Sequence, residues 1–282
     1  MLDPRLLRAF VAIADSGSFT AAADRLHMTQ STMSQQIARL EEAIGRTLVD
    51  RAARPVCLTV TGERLLGHAR RILALQGEAL ALVAETSGST SVRIGMPDDI
   101  ATPEMARAFA AFTRRHKEVR LDVTTGLRLD LARRYRSGEL DIAVLKEDAP
   151  GEDSLASFEE PITWFAAPGT AGNLPDPVPL VTFPPGGLYR DAMFERLERE
   201  RRRWYVAFTS ASLRNVLMAV EAGLGLSMLP IDAAKGWRIE PLAGFAGEPP
   251  VFASLYSWER DGIVGELADE VLDILKRHFA RI

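Results

Sequence analysis

The chain has 282 residues, enough for a small domain and a larger one with its own hydrophobic core, and its formal net charge of −4 would by itself argue against a nucleic-acid partner. The charge is divided, however: residues 1–71 hold ten Lys/Arg against seven Asp/Glu, a balance of +3, so the remainder sums to −7, and a mildly basic head on an acidic body is compatible with DNA contact through the head alone. A single cysteine excludes an internal disulfide and a cysteine-built zinc site, and the lack of a signal-like start or of an apolar run of bilayer length predicts a cytoplasmic protein without membrane association.

Asp3 as N-cap and Pro4 at the first helical position open a helix in which Leu6, Phe10 and Ile13 share a face. Gly17 ends it. Ser18 then caps a second helix that packs Phe19, Ala22, Ala23 and Leu26, with His27 at its end in a favourable dipole contact. In a third helix Met33, Ile37, Leu40 and Ile44 recur at i, i+4, i+7 and i+11 and face inward, until Gly45 stops it. The opposite face carries Ser31, Gln35, Ala38 and Glu42, flanked by Thr32, Ser34 and Arg39. Short hydroxyl and amide side chains at the start of such a face can reach base edges, since amides pair with adenine in two-pronged fashion. Glu42 lies nearly three turns in and should clear a groove that admits mainly the N-terminal residues of the helix. An ordinary amphipathic hairpin with a solvated outer face is the alternative, and polarity alone does not defeat it. Context does: Arg51, Arg54 and Pro55 fall in a short loop before Val56, Cys57 and Leu58, as suits a wing that grips phosphates, with Cys57 a small buried residue of its strand.

With GSFTAAADRLHMTQSTMSQQIARLEEAIG, LVDR and LTVTGERLL in this order and without gaps, the first seventy or so residues resemble the N-terminal domain of LysR-type transcriptional regulators. The resemblance implies a winged helix-turn-helix over residues 1–58, with double-stranded DNA and RNA polymerase as partners. Gln30, Ser31, Thr32, Ser34 and Gln35 are the expected base contacts, and Ser18, Thr20, Arg39, Arg51 and Arg54 the expected phosphate contacts, Arg51 matching an arginine that the family places on the backbone. Val49 departs from the family's usual phenylalanine, which trims a core contact and leaves the DNA face alone.

From Thr59 to about Ser87 the chain reads as one long helix. Leu65, Ala69, Ile72, Gln76, Ala79 and Val83 step by four and three, and Leu66, Leu73 and Leu80 recur every seven, a coiled-coil seam of nearly three heptads. Its length of roughly 40 Å compares with the roughly 34 Å between half-sites one DNA turn apart. A helix buried against its own domain is the alternative. In LysR-type regulators the corresponding segment, here residues 59–88, pairs two subunits, which predicts a homodimer or homotetramer held by Leu65, Leu66, Ile72, Leu73, Leu80 and Val83, with Gln76 helping to set register.

The body, residues 91–282, alternates strand and helix, which predicts a parallel sheet and an α/β class. Strands are expected at Val92–Gly95, Val119–Thr125 and Asp141–Leu145, with helices from Pro103 to about His116 and from Leu129 to Ser137. A second unit follows, with strands near Trp164–Ala167, Leu180–Phe183, Tyr205–Thr209 and Leu226–Leu229 and helices near Leu188–Arg203 and Leu213–Ala222, and a last helix spans Gly262–Ala280. RIGMPDD, SGELDIAVL and VEAGLGLSMLP resemble the two-lobed effector domain that LysR-type regulators share with periplasmic solute-binding proteins, with lobe I at 91–160 and 264–282 and lobe II at 161–263. PDD and the later LYRDAMF resemble the branch of the family that includes the HexA and LrhA regulators. Strand ends and helix starts converge at Pro97, Asp98, Asp99, Thr102, Thr125, Phe183, Thr209, Ser210 and Ser212, where a small-molecule effector is expected, Ser212 capping the helix behind it. The two aspartates favour a neutral or cationic ligand unless Arg190 balances them; equally, they simply serve the loop and the helix start.

An enzyme is not expected. His27, His68, His116 and His278 are scattered without metal-ligand spacing or a nucleophile nearby, and Gly223 and Gly225 follow a helix, the reverse of a dinucleotide fingerprint. No cofactor or metal is implied.

Overall fold

The computed structural model describes residues 2–84, 90–170, 174–245 and 247–280. Two compact units emerge, residues 1–90 with 134–140 and residues 91–133 with 141–282.

In the first unit the helices begin and end where local chemistry dictates. α1 (Pro4–Ser16) is capped by the Asp3 carboxylate, which accepts from Arg5 N, and closed by Gly17 in the left-handed region at φ 61. Ser18 caps α2 (Phe19–Arg25), and Thr29, a cap that the sequence reading passed over, accepts from Thr32 N at the start of α3 (Gln30–Ile44). α2 stops at Arg25, so His27 lies beyond the helix with φ 53 rather than on its last turn. Leu7, Phe10, Ile13, Met33, Ile37 and Leu40 are fully buried and form the centre of this core, each large side chain contributing about 1.5–3 kcal/mol. β1 (Val49–Asp50) and β2 (Cys57–Leu58) pair antiparallel as the wing.

α4 (Val60–Ala84) follows, its first turn capped by the Thr59 hydroxyl, which accepts from Gly62 N. Its proximal half is spent on its own head: Ala69 is fully buried, and Leu65, Leu66, Ile72 and Leu73 pack half-buried against the helical core. Arg8 of α1 donates to Gln76 Oε1 at 3.2 Å, so Gln76 has a partner in the same chain. The expected seam therefore divides. Leu75 and Leu80 are exposed, 43% and 64%, along with Ala79, whereas the Val83 side chain and residues 85–89 lie outside the described residues.

The second unit has two lobes. β3 (Thr90–Met96), α5 (Pro103–Arg115), β4 (Val119–Thr125), α6 (Arg128–Arg136), β5 (Ile142–Glu147) and β6 (Ala156–Glu160) open the first; β7 (Ile162–Ala166), β8 (Val178–Thr182), α7 (Leu188–Arg199), β9 (Trp204–Thr209), α8 (Leu213–Glu221), β10 (Ser227–Pro230) and β11 (Glu240–Pro241) build the second. β12 (Val251–Ser257) and α9 (Gly262–Phe279) return to the first. Its sheet runs β4-β3-β5-β12-β6 and is mixed, because β12 lies antiparallel between β5 and β6. An all-parallel sheet was expected, and residues up to 263 were expected in lobe II. Both expectations fail at β12, a strand over Val251–Ser257 that the sequence pattern did not bring out. α7 stops at Arg199, four residues short of expectation, because the chain turns through Arg201 at φ 55 into β9. Each lobe has its own core, around Ile94, Phe112 and Leu267 in the first and around Trp164, Met193 and Phe245 in the second.

Candidate nucleic-acid interface and ligand cleft

On the head, Gln30, Ser31, Thr32, Gln35 and Arg39 are exposed, and Ser34 is half-buried. Thr29 Oγ1 lies 2.8 Å from both the Ser31 and the Thr32 hydroxyl, which steadies the first turn of α3. A polar concavity is lined by Gly17, Ser18, Phe19, Thr20, Gln30, Ser34, Arg51, Arg54 and Val56. It brings the start of α2, the start of α3 and the wing together, so six residues expected to touch DNA share one depression. Arg51 donates to Ser34 Oγ at 3.1 Å and to Glu41 Oε2 at 3.2 Å and sits 5.5 Å from the Phe19 ring centroid. Arg54 folds back onto the carbonyls of Arg51 and Ala53. Arg39 stands outside this depression, farther along the exposed face of α3. Glu41 belongs to this site although the polar pattern of α3 points to Glu42; its signal in the sequence is a position beside the inward Leu40, on the flank that meets the wing. Cys57 is exposed, not buried, because a two-residue strand has no second layer over it.

The lobes of the body meet in a narrow cavity of about 60 Å³, lined by Pro97, Asp98 and Asp99, by Gly126 to Arg128, by Lys146, and from lobe II by Phe183, Gly187 to Tyr189, Ala211, Leu213 and Pro230. Of the expected ligand residues, Pro97, Asp98, Asp99 and Phe183 line it. Thr102 instead caps α5 by accepting from Met105 N, and Thr125, Thr209, Ser210 and Ser212 are not among the lining residues. Ser212 begins α8 without a side-chain cap; its own N–H donates to Ser210 Oγ, which also accepts from Asn215 Nδ2. Arg190 does not balance the aspartates, since its guanidinium donates to the Phe183 carbonyl and stacks 4.7 Å from the Phe194 ring centroid.

Lys146 takes that role. Its ammonium lies 2.9 Å from Asp99 Oδ2 and also bonds Glu160 Oε2, with Lys146 and Glu160 buried and Asp99 half-buried. Burial penalises the lysine's charge, but the two carboxylates outweigh it and hold its pKa above the ordinary value. Burial pushes Glu160 up to about 7, against the pull of Lys146 and with the help of Asp99. The Tyr189 hydroxyl is buried at the cleft wall, and burial followed by the nearby Glu160 and Asp99 charges raises its pKa well above normal. Lys146 escaped sequence reading because a strand lysine ordinarily points to solvent.

A winged helix-turn-helix head followed by a two-lobed body with a cleft between the lobes defines a ligand-responsive DNA-binding regulator. Residues 4–63 match the model of the bacterial regulatory helix-turn-helix protein, lysR family, and residues 85–280 match that of the LysR substrate binding domain. The chain belongs to the LysR-type family of transcriptional regulators. It is similar to the regulator DgdR of Burkholderia cepacia, 33% identical over 228 residues that cover 81% of this chain and 78% of that one. PecT of Dickeya dadantii (strain 3937) is 28% identical over 231 residues, 82% of this chain and 73% of its own. Among solved structures, full-length LysG from Corynebacterium glutamicum with bound effector Arg shares the fold at a TM-score of 0.58 and 22% identity, covering 96% of this chain and 97% of that one. ArgP from Mycobacterium tuberculosis does so at 0.55 and 25% identity, covering 96% of each chain.

Proposed function

We propose that the chain works as a homodimer or a pair of dimers, reading base edges with Gln30, Ser31, Thr32, Ser34 and Gln35 and gripping phosphates with Ser18, Thr20, Arg39, Arg51 and Arg54. The observation that carries this reading is the polar concavity in which the exposed start of α3 meets the wing arginines. Pairing runs through the distal stretch of α4, where Leu75, Ala79 and Leu80 are exposed on a helix whose proximal half is already occupied. A small effector enters the cleft, favours one arrangement of the lobes, and so alters the spacing of the two recognition helices, with RNA polymerase as the downstream partner. The protein acts in the cytoplasm and turns nothing over. Placement in the branch that includes HexA and LrhA rests on the PDD and LYRDAMF segments alone.

The effector is neutral or cationic. Asp98 is exposed at the cleft and has a carboxylate to offer, Asp99 and Glu160 already share one lysine, and Arg128 is engaged by Asp148 at 2.9 Å. An added anion would meet this surplus of carboxylates. Two measurements test the proposal. Selection of bound duplexes from a random pool should show that Gln35→Ala relaxes sequence preference while Arg51→Ala weakens all duplexes alike; equal loss of discrimination in both contradicts the division of labour. Titration calorimetry with aromatic acids and with amines decides the ligand class, and tight binding of a dianion sinks it.

A further inference from the structure

Glu41 does more than hold the wing against α3. Its side chain is 16% exposed, and its two oxygens have separate tasks. Oε1 accepts from Leu48 N at 2.8 Å and Val49 N at 3.2 Å, which ties the entrance of the wing to the side of α3. That alone would satisfy a structural role. Oε2 instead accepts from Arg51 Nη2, while Ser34, two turns earlier on α3, accepts from Arg51 Nη1. With the Phe19 ring 5.5 Å away, the guanidinium has three supports drawn from two helices. Two of its five N–H groups are used on these partners, and the rest have no partner among the described residues, at the edge of a concavity whose lining contains no carboxylate.

Resting on the reading of the head as a DNA-binding domain, we propose that Glu41 is a positioning residue, whose carboxylate orients the Arg51 guanidinium so that its free N–H groups meet one backbone phosphate. An unsupported arginine gives up about 2 kcal/mol of rotamer freedom when it is fixed on a ligand, and a guanidinium already held in plane gives up less. Glu41 sits behind Arg51, and the two backbone N–H groups that it accepts offset its charge, so it supports the arginine without facing the phosphate. Were it only a counter-ion competing with DNA, its removal would tighten binding. The two roles therefore predict opposite signs.

Glu41→Gln separates structure from positioning, since the amide carbonyl can still accept from Leu48 and Val49 while the NH2 group turns away a guanidinium. Full-length protein is titrated with a short random-sequence duplex between about 50 and 200 mM salt, alongside Arg51→Ala and the double variant. Arg51→Ala should flatten the plot of log affinity against log salt by about 0.9 per lost phosphate contact. Glu41→Gln should flatten it by a similar amount, weaken binding roughly five- to tenfold at the low-salt end, leave the melting temperature of the head within a few degrees, and add nothing in the Arg51→Ala background. A Glu41→Gln protein with a wild-type or steeper slope, or with tighter binding, overturns the inference while leaving Arg51 as a phosphate contact. An Arg51→Ala protein that binds like wild type takes down the phosphate assignment as well. If Glu41→Gln unfolds the head, Arg51→Lys decides: it keeps the charge but cannot bridge Ser34 and Glu41 as a fork, so wild-type binding by that variant refutes a role for orientation.

Discussion

Glu160→Gln should flatten the dependence of the body's stability on pH. In the folded chain the Glu160 carboxyl lies beside Lys146, whose ammonium Asp99 also contacts, and its pKa is pushed up by burial to about 7 from the ordinary 4.5. Because the folded value is raised, the stabilisation that comes with the bound proton is complete below pH 4.5 and is lost as pH rises through 7. Each unit of separation corresponds to about 1.4 kcal/mol, so the whole loss is about 3 kcal/mol, of which about 2 fall between pH 5.5 and 7. Asp99, Lys146, Asp232, Tyr189 and His278 also face this region, and His278 is itself held below its ordinary value, by burial first and then by Lys146. They remain in both proteins, and the variant also withdraws the charge by which Glu160 raises Lys146 and Tyr189. All four tryptophans, Trp164, Trp204, Trp237 and Trp258, lie in the body, so urea unfolding followed by tryptophan fluorescence reports this unit alone. The difference in unfolding free energy between variant and wild type should grow in the variant's favour from pH 5.5 to pH 8. Parallel curves across that range would refute the claim that Glu160 is a proton-binding group in the folded protein.

Three further outcomes are expected. Leu80→Glu should leave the head folded, since Leu80 is 64% exposed, but convert the oligomer to monomers by light scattering; an unchanged mass would remove the distal stretch of α4 from the pairing surface, a cleaner test than Leu73, which also packs on the head. Gly62→Ala should destabilise the head by about 2 kcal/mol or more, because a Cβ there would stand 2.1 Å from the Leu48 carbonyl oxygen; head melting by circular dichroism, unchanged within a degree, would contradict it. Cys57 should react fully with a thiol reagent without denaturant, and a slow phase removed by urea would mean that the thiol is covered in solution.

Much of the head was legible because its determinants are local. Asp3, Pro4, Gly17, Ser18 and Gly45 act on neighbours within a turn, and the inward stripe of Met33, Ile37 and Leu40 follows from helical period alone. β4 was readable end to end for the same reason, being an uninterrupted run between a helix stop and a turn. The cleft was legible only as an address: strand ends followed by helix starts placed Pro97, Asp98, Asp99 and Phe183, yet Thr125, Thr209, Ser210 and Ser212 are not among its lining residues, since sequence position does not tell which way a side chain at a strand end or helix start turns.

Sequence by itself determined the family, the order of its parts and the face of α3 turned to solvent, all of which depend on residues close together in the chain. Tertiary structure alone decided that Lys146 rather than Arg190 answers Asp99, that Glu41 reaches across to the wing, that β12 crosses back into the first lobe, and that half of α4 is occupied by its own head. Each of those joins partners between 7 and more than 100 residues apart, and no periodicity or capping rule can encode a contact whose distance is set by how separate elements pack.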